Sequence, residues 1–500
     1  MKSFCVTTPI YYVNDAPHVG HAYTTLHADV FARWHRLIGD EVFFLTGTDE
    51  HGLKIAEAAE KQGVDPQALT DVTSQRFKDV WAKLLIQYDD FIRTTDERHI
   101  KAVKAFTKKI YDSGYIVKDT WEGLYCISCE SNYTEAESEN GLCPIHKRKL
   151  ESVKEDNYFF KLSEFEDRLI KYYSENPKWI EPETKYNEAF SFIKSGLKDI
   201  SITRSSFDWG ISVPWDETQV FYVWFEALIN YVTALGYESD SSRFSNFWPN
   251  TVHLIGKEIT RFHCVWWPAM CMAAGIDPPS KILVHGWLLV KGEKMSKSGL
   301  NKIDPSELVD EFGLDQFRYL LIKGSPFGPD SEFSYEELKR RNNSDLANNL
   351  GNLLSRVVAV VHSKCDGISP KCSSDSELKQ DVEDAVEAAV LSWNNFAPAD
   401  ALEAVWNMIK RTNFYLEKYE PWKLEPGDRI NAIMGDSLEV LRIVSILISP
   451  VMPTAACDIL RRIGLKIDLK NVDFNEEIRW GQYLGGVPVI KDVPLFARIK

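Results

Sequence analysis

The sequence predicts an α/β protein: a Rossmann-like parallel sheet, split by an irregular insertion and followed by an all-α bundle. Three observations carry this. Apolar β-type runs alternate with helical patterns through residues 1–114. The rhythm breaks at Gly114 and resumes near residue 223. From Tyr335 onward the apolar periodicity is almost wholly helical.

The first run, 4–13, is rich in β-branched and aromatic residues, and Asn14-Asp15-Ala16-Pro17 then offers a cap and a proline for a first helical turn. Leu26, Val30, Phe31, Trp34, Leu37 and Ile38 follow at helical spacing. A second strand at 41–45 ends on Thr46-Gly47-Thr48-Asp49-Glu50-His51-Gly52. Helices are expected from Leu53 and from Pro66, a third strand at 91–94 and a helix at 97–111. There is no G-x-G-x-x-G, which argues against a dinucleotide cofactor. After the break, a helix at 225–235, a strand at 252–255, a helix at 260–274 and a strand at 281–285 complete the sheet. A helix at 305–323 opened by Asp304 leads to helices at 336–362, 377–393, 399–419, 429–448 and 453–463, an antiparallel bundle. This divides the chain into 1–114 and 223–290 (two halves of one sheet domain), 115–222 (the insertion), 291–345 (a lysine-rich loop and the region after it), 346–470 (the bundle) and 471–500 (a segment packing back on the body).

Composition sets limits. The chain has 500 residues, 44% of them hydrophobic and 26% charged, which is ordinary for a globular protein. A net charge of −15 excludes a generic polyanion binder, so any nucleic acid must be met through local basic patches, for which 146–149, 339–341 and 461–462 are the candidates. The N-terminus has no signal-peptide pattern, and the most apolar stretch, 440–452, is too short for a membrane span and contains Arg442. A cytoplasmic protein without membrane contact is expected. The nine cysteines, an odd number, fit reduced thiols and a metal site better than a disulfide framework.

Two stretches carry phosphate chemistry. Residues 289–299, LVKGEKMSKSG, bring Lys294, Lys297, Ser296 and Ser298 together between two glycines. Such a loop offers two ammonium groups and two hydroxyls to a polyphosphate, although a solvated surface loop has the same composition. At the start of the first helix, His18-Val19-Gly20-His21 sits where amide groups and the helix dipole favour anions, and Gly20 lets a purine or phosphate approach the backbone. A third motif lies in the insertion: Cys126-x-x-Cys129, thirteen residues, then Cys143-x-x-His146, the spacing of a closed tetrahedral Zn²⁺ site.

HVGH and KMSKS on one split sheet resemble the two signatures of the class I aminoacyl-tRNA synthetases. Four further stretches resemble the methionyl branch: Thr8–Asn14, Thr46–Gly52, Val223–Ala227, and Ile255–His263 with Trp266-Trp267-Pro268. The resemblance spans nearly the whole chain and implies activation of L-methionine by ATP with Mg²⁺, then transfer to tRNA(Met), including the initiator. It assigns His18, His21, Lys294 and Lys297 to catalysis, and His18, Gly20, His21, Gly256, Glu258, His285 and Lys297 to ATP. Methionine falls to Ile10, Tyr12, Asp49, Trp224, Ala227, Tyr231, Ile259, His263 and Trp267, with Asp49 on the amino group. An aromatic slot suits a polarizable thioether, and a buried ammonium needs a carboxylate. Members of the family vary around Leu228 and Glu258. The resemblance also makes Cys126, Cys129, Cys143 and His146 a structural zinc knuckle and the helical region an anticodon-binding bundle read by Asn352, Arg356 and Trp422. With no obvious appended tRNA-binding or dimerisation domain after residue 500, a monomer is expected. Branched-aliphatic sister enzymes would need an editing insertion for which there is no room. A catalytically silent tRNA-binding paralogue has no reason to keep both motifs, and a DNA-binding zinc ribbon would explain only residues 126–146.

Overall fold

The computed structural model describes residues 2–499 except 15, 127–130, 134–137, 139, 145–146, 291–292, 295–302 and 325–326. Its centre is a parallel sheet. Glu41–Asp49 lies between Asp90–Arg93 and Ser3–Thr7, which in turn pairs with Thr251–Gly256, and that strand with Lys281–His285. Such strands are buried on both faces, so they read as continuous apolar runs such as Val42–Leu45 and Val252–Ile255. The order runs outward in both directions from Ser3–Thr7. The crevice beyond its C-terminal end and that of Thr251–Gly256 is therefore the switch point at which such sheets bind ligands.

The predicted first strand is two. Ser3–Thr7 stops before Pro9, which has no amide hydrogen to donate, and Tyr11–Tyr12 resumes pairing on Thr48 and Asp49 of the same neighbour. That interruption drops Thr8–Ile10 into the crevice. Gly47 is required where it stands: a Cβ would lie 2.0 Å from the Ile92 carbonyl oxygen of the adjacent strand.

The segment 115–222 does not stand wholly apart from the sheet, as its irregular pattern suggested. Its outer part is an antiparallel sheet built on the long ribbon Ile116–Cys126 against Glu151–Phe160. Its inner part, however, contributes Ile180–Glu181, which pairs in parallel with Lys281–His285 and extends the central sheet. A two-residue strand carries too little periodicity to be read from sequence.

Helix boundaries depart from expectation where backbone chemistry intervenes. The helix expected over 305–323 is Pro305–Phe312 and Leu314–Gly324, broken by Gly313 at φ +89°, a conformation other residues rarely adopt. Asp304 does cap it, accepting from the Ser306 amide at 2.7 Å. The helix expected over 225–235 is Val223–Ala227 followed by Asn230–Ala234, and that over 260–274 begins as a π-helical turn, Phe262–Trp266, before Trp267–Ala273. A second π-helical stretch, Asn342–Gly351, leads into Asn352–Lys364.

The bundle comprises that helix with Lys379–Asn394, Pro398–Tyr419, Asp428–Ile448 and Pro453–Arg462. Asp428–Ile448 is buried on nearly all faces, which explains the apolar run around 440–452: it is the bundle's central helix. Among the described residues no helix is long and apolar enough to cross a membrane. The C-terminal segment packs back on the bundle. Glu439 accepts the amides of Gly481, Gln482 and Tyr483, and Ile499 and Asn343 exchange two hydrogen bonds.

Candidate active site

The first helix, Val19–Leu37, begins at the crevice with His18 as its cap. The Gly20 amide donates to His18 Nδ1 (3.1 Å) and the His18 amide to His21 Nδ1 (3.2 Å), so the two imidazoles reproduce a reciprocal capping box. Their rings stack at 3.8 Å. With both Nδ1 atoms accepting, the neutral rings carry their protons on Nε2. Gly20 has a local reason to be glycine: a Cβ would lie 2.9 Å from His18 Cε1. His21 packs edge-on against Tyr11 and Phe77.

Other nucleotide candidates line the same crevice. His285, at the end of its strand, accepts from the Thr24 hydroxyl at Nε2 (2.8 Å) and donates from Nδ1 to the Gly286 carbonyl (2.7 Å). Burial pushes its pKa below the usual histidine value and keeps the ring neutral. Gly256 ends the neighbouring strand. Glu258 is exposed and accepts from the Trp287 indole at 2.9 Å.

The lysine loop is anchored at both ends. Leu288–Val290 pairs antiparallel with Glu293–Lys294 and in parallel with Ser331–Phe333. Past the loop, the Ile303 carbonyl accepts the Val19 amide at 3.0 Å. The Lys294 side chain and residues 295–302, Lys297 among them, lie outside the described residues.

The methionine candidates gather beside the first strand. Ile10, Tyr12, Trp224 and Ile259 are half-buried against one core that includes Tyr231 and Trp267. Tyr12 meets Trp224 edge-on at 5.9 Å, and Trp224 stacks on Phe262 at 4.1 Å. Ala227 and Asp49 are buried, the latter at the end of Glu41–Asp49. The Tyr231 hydroxyl donates to His263 Nε2 (2.7 Å), whose Nδ1 donates to the Ile259 carbonyl (3.1 Å). Burial pushes His263 down to about 4, so it is a neutral acceptor at neutral pH.

Behind these side chains lie polar groups that sequence reasoning did not assign. His253 accepts from the Trp267 indole (3.2 Å) and donates to Thr7 Oγ1 (2.8 Å), joining the helix that begins at Trp267 to the end of the first strand. Glu226 is fully buried and bonded to His51 and His99. Burial raises its pKa, but the bonds from the two imidazoles outweigh that and leave it below the usual range. Glu50 is held bidentately by Arg93 at 2.7 and 2.8 Å. The available signal was an ionisable residue inside an apolar run, Glu226 in VWFEALI; its partners are 175 and 127 positions away.

Of the proposed zinc ligands, Cys126 and Cys143 are buried in one small cluster with Leu150; Cys129 and His146 lie outside the described residues. The Cys143 N–H donates to the Arg148 carbonyl and the Lys147 N–H to the Cys143 carbonyl, both at 2.8 Å. Among the described residues no three potential ligands come together. In the bundle, Arg356 lies over the Trp422 ring at 4.8 Å and reaches Glu417 at 3.6 Å. Asn352 is exposed one turn earlier on the same helix, so the three anticodon candidates share one surface.

A doubly wound sheet whose switch point holds a histidine-capped helix, bonded through the Val19 amide to Ile303 just past the lysine motif, is the architecture of a class I aminoacyl-tRNA synthetase. The family model for tRNA synthetases class I (M) matches residues 4–152 and 139–358. Methionine--tRNA ligases from Caldanaerobacter subterraneus subsp. tengcongensis and Streptomyces coelicolor are 44% and 42% identical over 100% of this chain, covering 79% and 97% of their own lengths. Mycobacterium tuberculosis methionyl-tRNA synthetase in complex with methionyl-adenylate superposes with a TM-score of 0.95 at 39% identity, over 100% of both chains. Its apo form gives 0.88 at 36% identity, over 100% of this chain and 99% of that one. The chain belongs to the methionyl-tRNA synthetases.

Proposed function

We propose that the chain activates L-methionine with ATP and transfers it to initiator and elongator tRNA(Met), as a cytoplasmic monomer. The observation that supports this is the HVGH helix start beside an aromatic cluster at one switch point, with the Val19 amide bonded to the Ile303 carbonyl just past KMSKS in sequence.

In the first step a methionine carboxylate oxygen attacks the α-phosphorus of ATP. A P–O bond forms, the bond to the β-phosphate bridge breaks, and pyrophosphate leaves. In the second, a terminal ribose hydroxyl of tRNA attacks the acyl carbon, and AMP leaves as the mixed anhydride opens. Neither step needs an enzyme nucleophile, so the side chains act by positioning and charge stabilisation. His18 and His21 donate from Nε2 to phosphate oxygens at a helix start whose dipole favours negative charge, and the amide bonds to their Nδ1 atoms hold the rings in that orientation. Lys294 and Lys297 neutralise the departing pyrophosphate. Gly256, Glu258 and His285 border the nucleoside.

Asp49 holds the methionine ammonium. Ile10, Tyr12, Trp224, Ala227, Tyr231, Ile259, His263 and Trp267 surround the thioether, and the neutral His263–Tyr231 pair gives the slot a polar end without a charge. Mg²⁺ would arrive with the ATP phosphates, whose charge it screens. Zn²⁺ would be held by Cys126, Cys129, Cys143 and His146 and would cross-link the tip of the insertion. The buried Cys126 and Cys143 thiols in one cluster fit such a donor set. Arg356, Trp422 and Asn352 would take unstacked anticodon bases, which Trp422, 39% exposed, suits.

Acid-gel charging assays test the complete reaction: methionine should appear on initiator and elongator tRNA(Met) and on no other tRNA. Charging of a different tRNA would refute it.

A further inference from the structure

We infer that Glu226 is a positioning residue that sets the shape of the methionine slot through two buried imidazoles, His51 and His99; this rests on the function proposed above. Glu226 lies in the short helix Val223–Ala227, one residue from Ala227 and two from Trp224, and is fully buried. Its carboxylate oxygens are divided between two segments. His51 Nδ1 donates to Oε1 at 3.0 Å and His99 Nε2 to Oε2 at 2.8 Å, and both rings are buried.

Each partner belongs to a different part of the pocket. His51 follows Asp49 by two residues. Its ring lies edge-on to Trp209, whose indole donates to the Glu50 carbonyl (2.7 Å) while its own carbonyl accepts the Gly52 amide (3.1 Å), so the chain past Asp49 is held from both sides. His99 begins a turn of the helix Glu97–Asp112, and its Nδ1 lies 3.3 Å from the hydroxyl of Thr233, two residues after Tyr231 in Asn230–Ala234. One carboxylate therefore links the segment bearing the ammonium-binding Asp49, the helix bearing Trp224 and Ala227, and, through His99, the helix bearing Tyr231.

An apolar residue at 226 would serve a merely packed core. A buried carboxylate with one directional bond per oxygen instead fixes how far Asp49 stands from the aromatic slot. Methionine must bridge that distance; ATP does not.

The test is methionine-dependent pyrophosphate exchange with Glu226→Ala, Glu226→Asp and Glu226→Gln, rates normalised to active sites by the adenylate burst. Alanine removes both bonds, and aspartate is too short to keep both. Glutamine can keep both, accepting from one imidazole and donating to the other after a tautomer change. Ala and Asp variants are expected to raise KM for methionine about tenfold or more per active site with KM for ATP within about twofold, and the Gln variant to restore most of it. Lower active-site content with an unchanged methionine KM, or equal rises in both KM values, would overturn the inference by reducing Glu226 to a structural role. If alanine does not fold, the Asp and Gln pair decides alone. Wild-type enzyme lacking methionine-dependent exchange would instead refute the underlying function.

Discussion

The Val19 amide donates to the Ile303 carbonyl at 3.0 Å, which ties the interior of HVGH to the chain five residues beyond KMSKS. The two motifs are separated by more than half the sequence, yet one hydrogen bond sets the base of the lysine loop against the helix start. Lys297→Gln should therefore slow adenylate formation by roughly 10²–10³-fold with methionine KM nearly unchanged, since it removes charge stabilisation and not substrate binding. Pre-steady-state measurement of adenylate formation checks this; an unaltered rate would remove Lys297 from the mechanism.

The same helix is tied to the bundle. Arg318, fully buried, donates to Asp29 Oδ2 (2.7 Å), to the Leu84 carbonyl (2.9 Å) and to the Val451 and Pro450 carbonyls (2.7 and 3.0 Å). Asp29 also accepts from Arg33 and the Gln87 amide, both at 2.7 Å. Arg318→Met leaves that carboxylate partly uncompensated and should destabilise by about 3–5 kcal/mol in denaturant unfolding. A loss below about 1 kcal/mol would mean that Arg33 and Gln87 suffice.

Trp422→Ala removes an exposed ring over which Arg356 lies, on the helical bundle and away from the sheet. Aminoacylation should fall about tenfold or more with pyrophosphate exchange unchanged, a base–aromatic stack contributing about 1–3 kcal/mol. Equal loss in both assays would identify a folding defect.

Acid should weaken the fold through histidines held neutral. Burial pushes His263 down to about 4 and His27 to about 3, and also lowers His253 and His285. His27 Nε2 has no hydrogen-bond partner among the described residues. The unfolded chain binds these protons near pH 6.5 and the folded chain does not. The contribution of His263 is thus complete above 6.5 and declines as pH falls toward 4, by up to about 1.4 kcal/mol per pH unit. Unfolding midpoints in urea should drop between pH 7 and 5; midpoints flat over that interval would contradict the neutral assignments.

Metal analysis of freshly purified chain should find one zinc per molecule, lost in Cys126→Ser, with protease sensitivity rising first in residues 126–150 and the adenylate burst retained. Absence of stoichiometric zinc in the wild-type protein would refute the knuckle.

What could be read in advance follows from range. HVGH, KMSKS and the cysteine spacing are local, and each is written in a few neighbouring residues. The sheet followed from apolar runs, because parallel strands buried on both faces show no alternation. Ile180–Glu181 was missed because two residues have no period. The break at Gly313 depends on one backbone angle, and the π-helical turn at Phe262–Trp266 leaves the apolar spacing of a helix unchanged to the eye. Glu226, His51 and His99 were unreadable as a set for the same reason: three separate elements meet only in the fold.

Methionine-specific activation at this switch point is measured by amino-acid-dependent pyrophosphate exchange across all twenty amino acids. Exchange should be fastest with methionine and should collapse when Asp49 is replaced by alanine. A faster rate with any other amino acid, or undiminished exchange in Asp49→Ala, would refute methionine-specific activation through Asp49.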